Sequence, residues 1–296
     1  MKTKLTKFMK GYTKKEKVLF FDMHNLLFRS LFVSHGQDPL DKTYGYFKFL
    51  VMNGIFKNIK NFQPTKVIIA SDSRNYWRRD IYPGYKASRK GMRDKSGIDF
   101  DHFFGVYDKF MEDLKEALTM IHFLAVHRCE ADDIIAVLTK ERFQKDDVVN
   151  YSTDKDMYQL FKYKNYTQFD PIKKKFITHL NPARELVLKI LTGDRGDDIP
   201  GVKSKCGPVT AQQMLDLGLT NSLLNKSMED NFERNKQLID FDMIPLEIVE
   251  KITSEFDNYH INTYNGGKIF NFLVKYKLNF FIENLQEFTP SLKEIG

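Results

Sequence analysis

The chain has 296 residues, 42% hydrophobic and 29% charged, with a net charge of +7 and a pI near 9.1. That is long and apolar enough for a sizeable core, which excludes a disordered chain, and no apolar run reaches the roughly 18–20 residues of a membrane span. The two cysteines, Cys129 and Cys206, form no CxxC pair and the seven histidines no HExxH, so neither a disulfide framework nor a zinc site is expected.

Residues 1–16 form a basic tail, in which Leu5, Phe8, Met9 and Tyr12 fall at helical spacing. The tail lacks an apolar core and a cleavage site, so it is no secretory signal and a cytoplasmic protein is expected. KVLFFD (17–22) predicts a buried strand, residues 43–62 a helix, and KVIIASD (66–72) a second strand. Residues 102–121 read as a long helix, FLAVH (123–127) as a third strand, and EADDIIAVLTKERF as a helix. VVNYST (148–153) is a fourth strand, DKDMYQLF opens another helix, and KKFIT (174–178) is a candidate last strand. Strands alternating with helices predict an α/β fold whose mostly parallel, twisted sheet is covered by helices. From 181 to 296 the pattern is helical, which divides the chain into the tail, a core over 17–180 and a helical region packed on it.

Open parallel sheets bind ligands at the carboxyl ends of their strands. The first four strands each deliver acid there: Asp22, Asp72, the group Glu130, Asp132 and Asp133, and Asp154 with Asp156. TGDRGDDIPGV adds Asp194 and Asp197 in a glycine-containing turn. Any one of these would serve as a helix cap or turn residue, but their repetition at one edge points to a shared site. Bare carboxylates so placed repel one another and take up protons. Oxygen-only ligands suit magnesium, with manganese able to substitute. Two such ions about 4 Å apart equip a site for in-line phosphodiester hydrolysis.

Residues 74–95 carry eight lysines and arginines against two acids, interleaved with Tyr76, Trp77, Tyr82 and Tyr85. Cations that track phosphates, with aromatics that stack on bases, describe a single-strand groove. Trp77 reads better as a packing anchor. With the nine acids of the site set aside, the rest of the chain carries +16, a positive surface around a negative pocket.

The series FFDMHNLLFR, IIASD, YKASR, CEADDIIA, YSTDKDMYQL and TGDRGDDIPGV resembles the 5′-nuclease or flap endonuclease family, above all its phage members, over roughly residues 17–280. The resemblance implies a helical arch over about 74–100 and a helix–three-turn–helix motif. It implies one metal cluster of Asp22, Asp72, Glu130 and Asp132 with Asp133 beside them, and a second of Asp154, Asp156, Asp194 and Asp197. It makes Phe28 a base-stacking residue and Arg29 a phosphate contact. In YKASR it makes Lys86 the arch-base lysine that polarises the scissile phosphate, with Arg89 near it. Arg78, Arg79 and Tyr85 of the basic segment are further nucleic-acid contacts. GVKSKCGPVTA departs from the family's GVxGIGxxTA, so Lys203 and Lys205 are expected to contact phosphate directly and Cys206 to be packed.

The resulting expectation is a magnesium-dependent 5′→3′ exonuclease and 5′-flap endonuclease, with Lys86, Arg89 and Asp132 central to catalysis. It would remove RNA primers and flaps during replication, acting on DNA with a 5′ flap or end and on RNA–DNA hybrids. It would be a monomer, in the host cytoplasm if phage-encoded, with a single-strand binding protein or sliding clamp as candidate partners and no membrane. The alternatives are a catalytically inactive junction binder, against which the complete acid set argues, and a PIN-type ribonuclease, which the helical C-terminal region disfavours.

Overall fold

The computed structural model describes residues 15–37, 40–178, 181–218 and 225–296. The helical spacing of Leu5, Phe8, Met9 and Tyr12 lies outside them. Strand β1 (Lys17–Asp22) runs directly into helix α1 (Met23–Gln37), followed by α2 (Gly45–Phe62) and β2 (Lys66–Ala70). The basic segment holds two short helices, α3 (Arg78–Ile81) and α4 (Arg89–Asp94), and leads into α5 (Phe100–Ala117). Then come β3 (His122–Leu124), α6 (Ala131–Glu141), β4 (Asp147–Tyr151) and a 3₁₀ helix over Asp156–Lys162. The hairpin β5 (Tyr166–Asp170) and β6 (Lys175–Phe176) ends the sheet.

The order is β3-β2-β1-β4-β5-β6, with every pair parallel except β5–β6. In β1, Leu19 and Phe21 enter the core on one face, while Val18 and Phe20 enter the core on the other, as the two-residue period of a strand buried on both faces requires. The first core is closed by α1, α2 and α5, the second by α6 and the 3₁₀ helix. Asp22 pairs with Ala70 and Phe21 with Tyr151, so the carboxyl ends of β1, β2 and β4 are level. The chain steps from β1 to β2 on one side and places β4 on the other. The site therefore sits where the strand order reverses.

The rest is helical: α7 (Pro182–Thr192), α8 (Pro208–Asp216), α9 (Lys226–Ile239), α10 (Leu246–Asp257), α11 (Gly266–Lys275), α12 (Asn279–Glu283) and α13 (Leu285–Lys293). Helices α11–α13 contribute Ile269, Phe272, Phe281 and Leu292 to the first core, and α10 contributes Ile248 and Ile252 to the second. The β5–β6 hairpin differs from the expected single last strand. YTQFD is too short and polar to announce itself, and β6 pairs through only two residues. No helix among the described residues is long and apolar enough to cross a membrane.

Candidate active site at the carboxyl edge of the sheet

Each acid is held by the local structure that follows its strand. Asp22 ends β1, where Asn25 N–H donates to Oδ1 at 3.0 Å and Ser152 Oγ donates to Oδ2 at 2.9 Å. Asp72 follows β2 and accepts from Ala131 N–H at 2.9 Å, the first amide of α6, with His24 Nδ1 3.6 Å from its other oxygen. At the start of α6, Glu130 and Asp133 form a reciprocal capping box. Asp132 accepts from the Asp133 amide at 2.8 Å. After β4, the Asp154 amide donates to Ser152 Oγ at 3.0 Å, and its Oδ1 accepts from Asp156 N–H at 2.9 Å. Gly193 at the end of α7 has φ 69°, and a Cβ there would overlap the Ile199 and Pro200 carbonyls, so the turn that presents Asp194 requires glycine.

The acids converge as two groups. Glu130, Asp132 and Asp133 each place one oxygen within 4.8 Å of the others, and so do Asp156, Asp194 and Asp197. A cavity of about 380 Å³ is lined by Asp22, Asp72, Glu130, Asp132 and Asp154 together with Phe28, Arg29, Lys86 and Arg89. A larger one, about 830 Å³, adjoins it beneath the basic segment and shares Phe28, Asp72 and Arg89.

The electrostatics divide these carboxyls. Burial pushes Asp154 up to about 7, helped by Asp156 and Asp22. Burial also raises Asp22, with Asp72 adding repulsion, and lifts Asp132 well above its usual range, with Glu130 and Asp133 adding to it. Glu130 goes the other way: burial opposes ionisation, but Lys86 and Arg78 overcome it and hold the acid at about 2. Asp194 is likewise lowered, because Lys189 outweighs its burial. Buried oxygen donors that resist ionisation without a counter-charge fit a hard divalent cation.

Two expectations are corrected. Arg78 does not face phosphate: it is 2% exposed, and its guanidinium donates to Glu130 at 2.8 Å, to Asp133 at 2.8 and 3.0 Å and to the Leu238 carbonyl at 2.8 Å. Tyr85 is also buried, and its hydroxyl donates to Glu130 at 2.8 Å. Both oxygens of Asp133 accept hydrogen bonds, from Arg78, Trp77 Nε1 and the Glu130 amide, within the group it forms with Glu130 and Asp132.

Lys86 and Arg89 stand in the site. Lys86 Nζ donates to Glu130 Oε1 and lies 3.7 Å from Asp197, while Arg89 donates to Asp197 at 2.6 Å. Arg29 donates to Tyr151 at 3.1 Å through Nη2, while its buried Nη1 has no partner. Phe28 is half-buried against His24, Phe32 and Phe100. Arg79 is exposed over the Tyr76 ring. Lys203 and Lys205 are exposed on the turn before α8, and Cys206 is buried beneath them. Lys189, on α7, was not anticipated from the sequence: it pairs with Asp156 and, at 2.8 Å, with Asp194.

Acids gathered at the carboxyl edge of a parallel sheet, with buried lysine and arginine among them and a basic segment alongside, define the class of metal-dependent phosphodiesterases. Residues 17–190 match the family model described as 5′-3′ exonuclease, N-terminal resolvase-like domain, and residues 209–288 match that of T4 RNase H, C terminal. The chain therefore belongs to the 5′-3′ exonuclease family. It is 30% identical to the ribonuclease H of Enterobacteria phage T4 over 265 residues, covering 81% of this chain and 86% of that one. It is 31% identical to a 5′-3′ exonuclease of Buchnera aphidicola over 69% of this chain and 71% of that one. The fold is shared with a bacteriophage T5 flap endonuclease solved as a pseudo-enzyme–product complex with DNA and metal ions, at 20% identity and a TM-score of 0.63 over 80% of this chain and 97% of that one.

Proposed function

We propose that the protein is a divalent-metal-dependent 5′→3′ exonuclease and 5′-flap endonuclease that hydrolyses phosphodiesters at single-strand–duplex junctions and removes RNA primers and flaps in replication. The observation that carries this reading is the convergence of Asp22, Asp132 and Asp154, all with raised pKa values, on one cavity that also holds Lys86 and Arg89. Magnesium, with manganese as a substitute, is the proposed cofactor, held by Asp22, Asp72, Glu130, Asp132 and Asp154 on one side and by Asp156, Asp194 and Asp197 on the other. When bound, such ions supply Lewis-acid stabilisation for in-line displacement at phosphorus.

The chain's own groups position the substrate. Lys86 reaches the cavity from the foot of the basic segment, where its ammonium can polarise a scissile phosphate. Arg89 supplies a second cation beside it. The unpartnered Nη1 of Arg29 offers a donor to the same phosphate, and Phe28, on the wall shared by the two cavities, offers a ring to the terminal base. Arg79, Lys203 and Lys205 are exposed cations suited to the backbone of DNA or of an RNA–DNA hybrid. The division into a 17–180 core and a 181–296 DNA-binding region, acting as a monomer, completes the reading. The basic tail and the C-terminal helices are its docking surfaces for a single-strand binding protein or sliding clamp.

The test is a 5′-labelled flap duplex incubated with the protein in magnesium and in chelator. Magnesium-dependent release of label near the junction is expected. Binding without release in either magnesium or manganese would replace this reading with an inactive junction binder.

A further inference from the structure

The two halves of the acidic site differ in what neutralises them. Among the described residues, no lysine or arginine forms an ion pair with Asp22, Asp72, Asp132 or Asp154, four of the five acids that line the 380 Å³ cavity; the fifth, Glu130, is paired with Arg78 and Lys86. The second group is already matched. Lys189 Nζ pairs with Asp156 and with Asp194, and Asp197 is held by Arg89 at 2.6 Å and approached by Lys86 at 3.7 Å. Asp156, Asp194 and Asp197 each bring one oxygen within 4.8 Å of the others, where an ion would sit, and the Lys189 ammonium is bonded to two of these three carboxylates.

Lys189 is built into this position. It lies on α7, three residues before the Thr192 end, and Gly193 turns the chain so that Asp194 folds back onto it. Its side chain is 23% exposed, as is that of Asp156, so the pair is largely screened from bulk water. At such short range and with little water around it, the attraction between the ammonium and the carboxylates is only weakly screened.

We infer that Lys189 is a resident cation of the second acidic cluster: it holds Asp156 and Asp194 together without metal, and a second divalent ion must displace it to bind. This rests on the metal-dependent reading above and adds to it an order of affinity. The first ion meets four carboxylates that no lysine or arginine pairs with, whereas the second competes with a tethered ammonium.

The test is manganese binding to the chelator-stripped full chain, followed by electron paramagnetic resonance and calorimetry, for wild type, Lys189→Met and Lys189→Arg. Wild type is expected to bind one ion tightly and a second at least roughly tenfold more weakly. Lys189→Met should tighten the second ion by roughly tenfold or more and lower the metal-free melting temperature, with the deficit restored by manganese. Lys189→Arg, which keeps the charge, should retain the weak second site. Wild type and the arginine variant decide the matter even without the methionine variant: two equally tight ions in both would overturn the inference. A second ion weakened in Lys189→Met would also overturn it, because the lysine would then be organising ligands and not competing with the ion. No ion bound by any of the three proteins would sink the metal-dependent reading itself, and this inference with it.

Discussion

Arg78 Nη2 lies 2.8 Å from Asp133 Oδ1, with the two side chains 3% and 0% exposed. The same guanidinium reaches Glu130 and the Leu238 carbonyl, so one side chain joins the foot of the basic segment, the start of α6 and the end of α9. Removing one partner of a buried ion pair strands the other, at a cost of about 3–5 kcal/mol. Arg78→Met and Asp133→Leu are therefore each expected to lose about that much in urea denaturation, with the double variant losing clearly less than the sum. Single variants costing under about 1 kcal/mol would show that the network is no structural keystone.

Lys86 lies between the acid groups, with φ 56°, its backbone amide tied to the Asp197 carbonyl at 2.9 Å and its ammonium on Glu130. A substrate phosphate arriving in the cavity would compete for that ammonium. Lys86→Met should lower single-turnover cleavage of a flap duplex by about 10²–10³-fold, the usual effect of losing one preorganised donor, while weakening flap binding much less. Equal losses in binding and cleavage would place Lys86 in ground-state recognition alone.

Much of this arrangement was legible in the chain because its causes are local. The alternation of Val18, Leu19, Phe20 and Phe21 marks a strand buried on both faces, and acid at the end of successive strands marks one edge of one sheet. Gly193 before Asp194 signals a turn that a side chain would block. Charge pairing across long separations was not legible. Arg78, Arg79 and Arg89 look alike in a basic, aromatic-rich segment, yet the short turn of α3 sends Arg78 inward to an acid 52 residues away and leaves Arg79 in solvent. Lys189 in ELVLKILT reads as the polar face of an amphipathic helix, and only the fold brings Asp156 to meet it.

The raised carboxyls predict proton release on metal binding. Asp154 sits at about 7 against an ordinary 3.8, so near pH 6 it is largely protonated in the metal-free fold and must lose its proton to become a ligand. Magnesium binding should release protons at pH 6, release few above pH 8, and weaken as pH falls through about 7. Asp154→Asn should reduce the release, measured by calorimetry in buffers of different ionisation enthalpy. Without metal the sign reverses: Asp154 contributes stability that is complete below pH 3.8 and lost as pH rises through about 7. Magnesium titrations with no buffer dependence at pH 6 would mean the acid is ionised from the outset.

His122 offers a pH dependence away from the site. It is 5% exposed on β3, its ring 5.0 Å from Phe256 and 5.2 Å from Tyr259, and burial, with Lys66 adding to it, pushes its pKa from 6.5 down to about 4. The folded imidazole stays neutral where the unfolded one takes up a proton. Its contribution is therefore complete above pH 6.5 and lost as pH falls toward 4. The site carboxyls titrate in the opposite sense over part of this range, so the informative quantity is the difference between wild type and His122→Phe, in which those groups cancel. Measured by urea denaturation at each pH, wild type should lose on the order of 2–3 kcal/mol relative to His122→Phe between pH 7 and pH 4. Parallel profiles would mean that His122 is free to protonate within the fold, and that its stacking on Phe256 tolerates the charge.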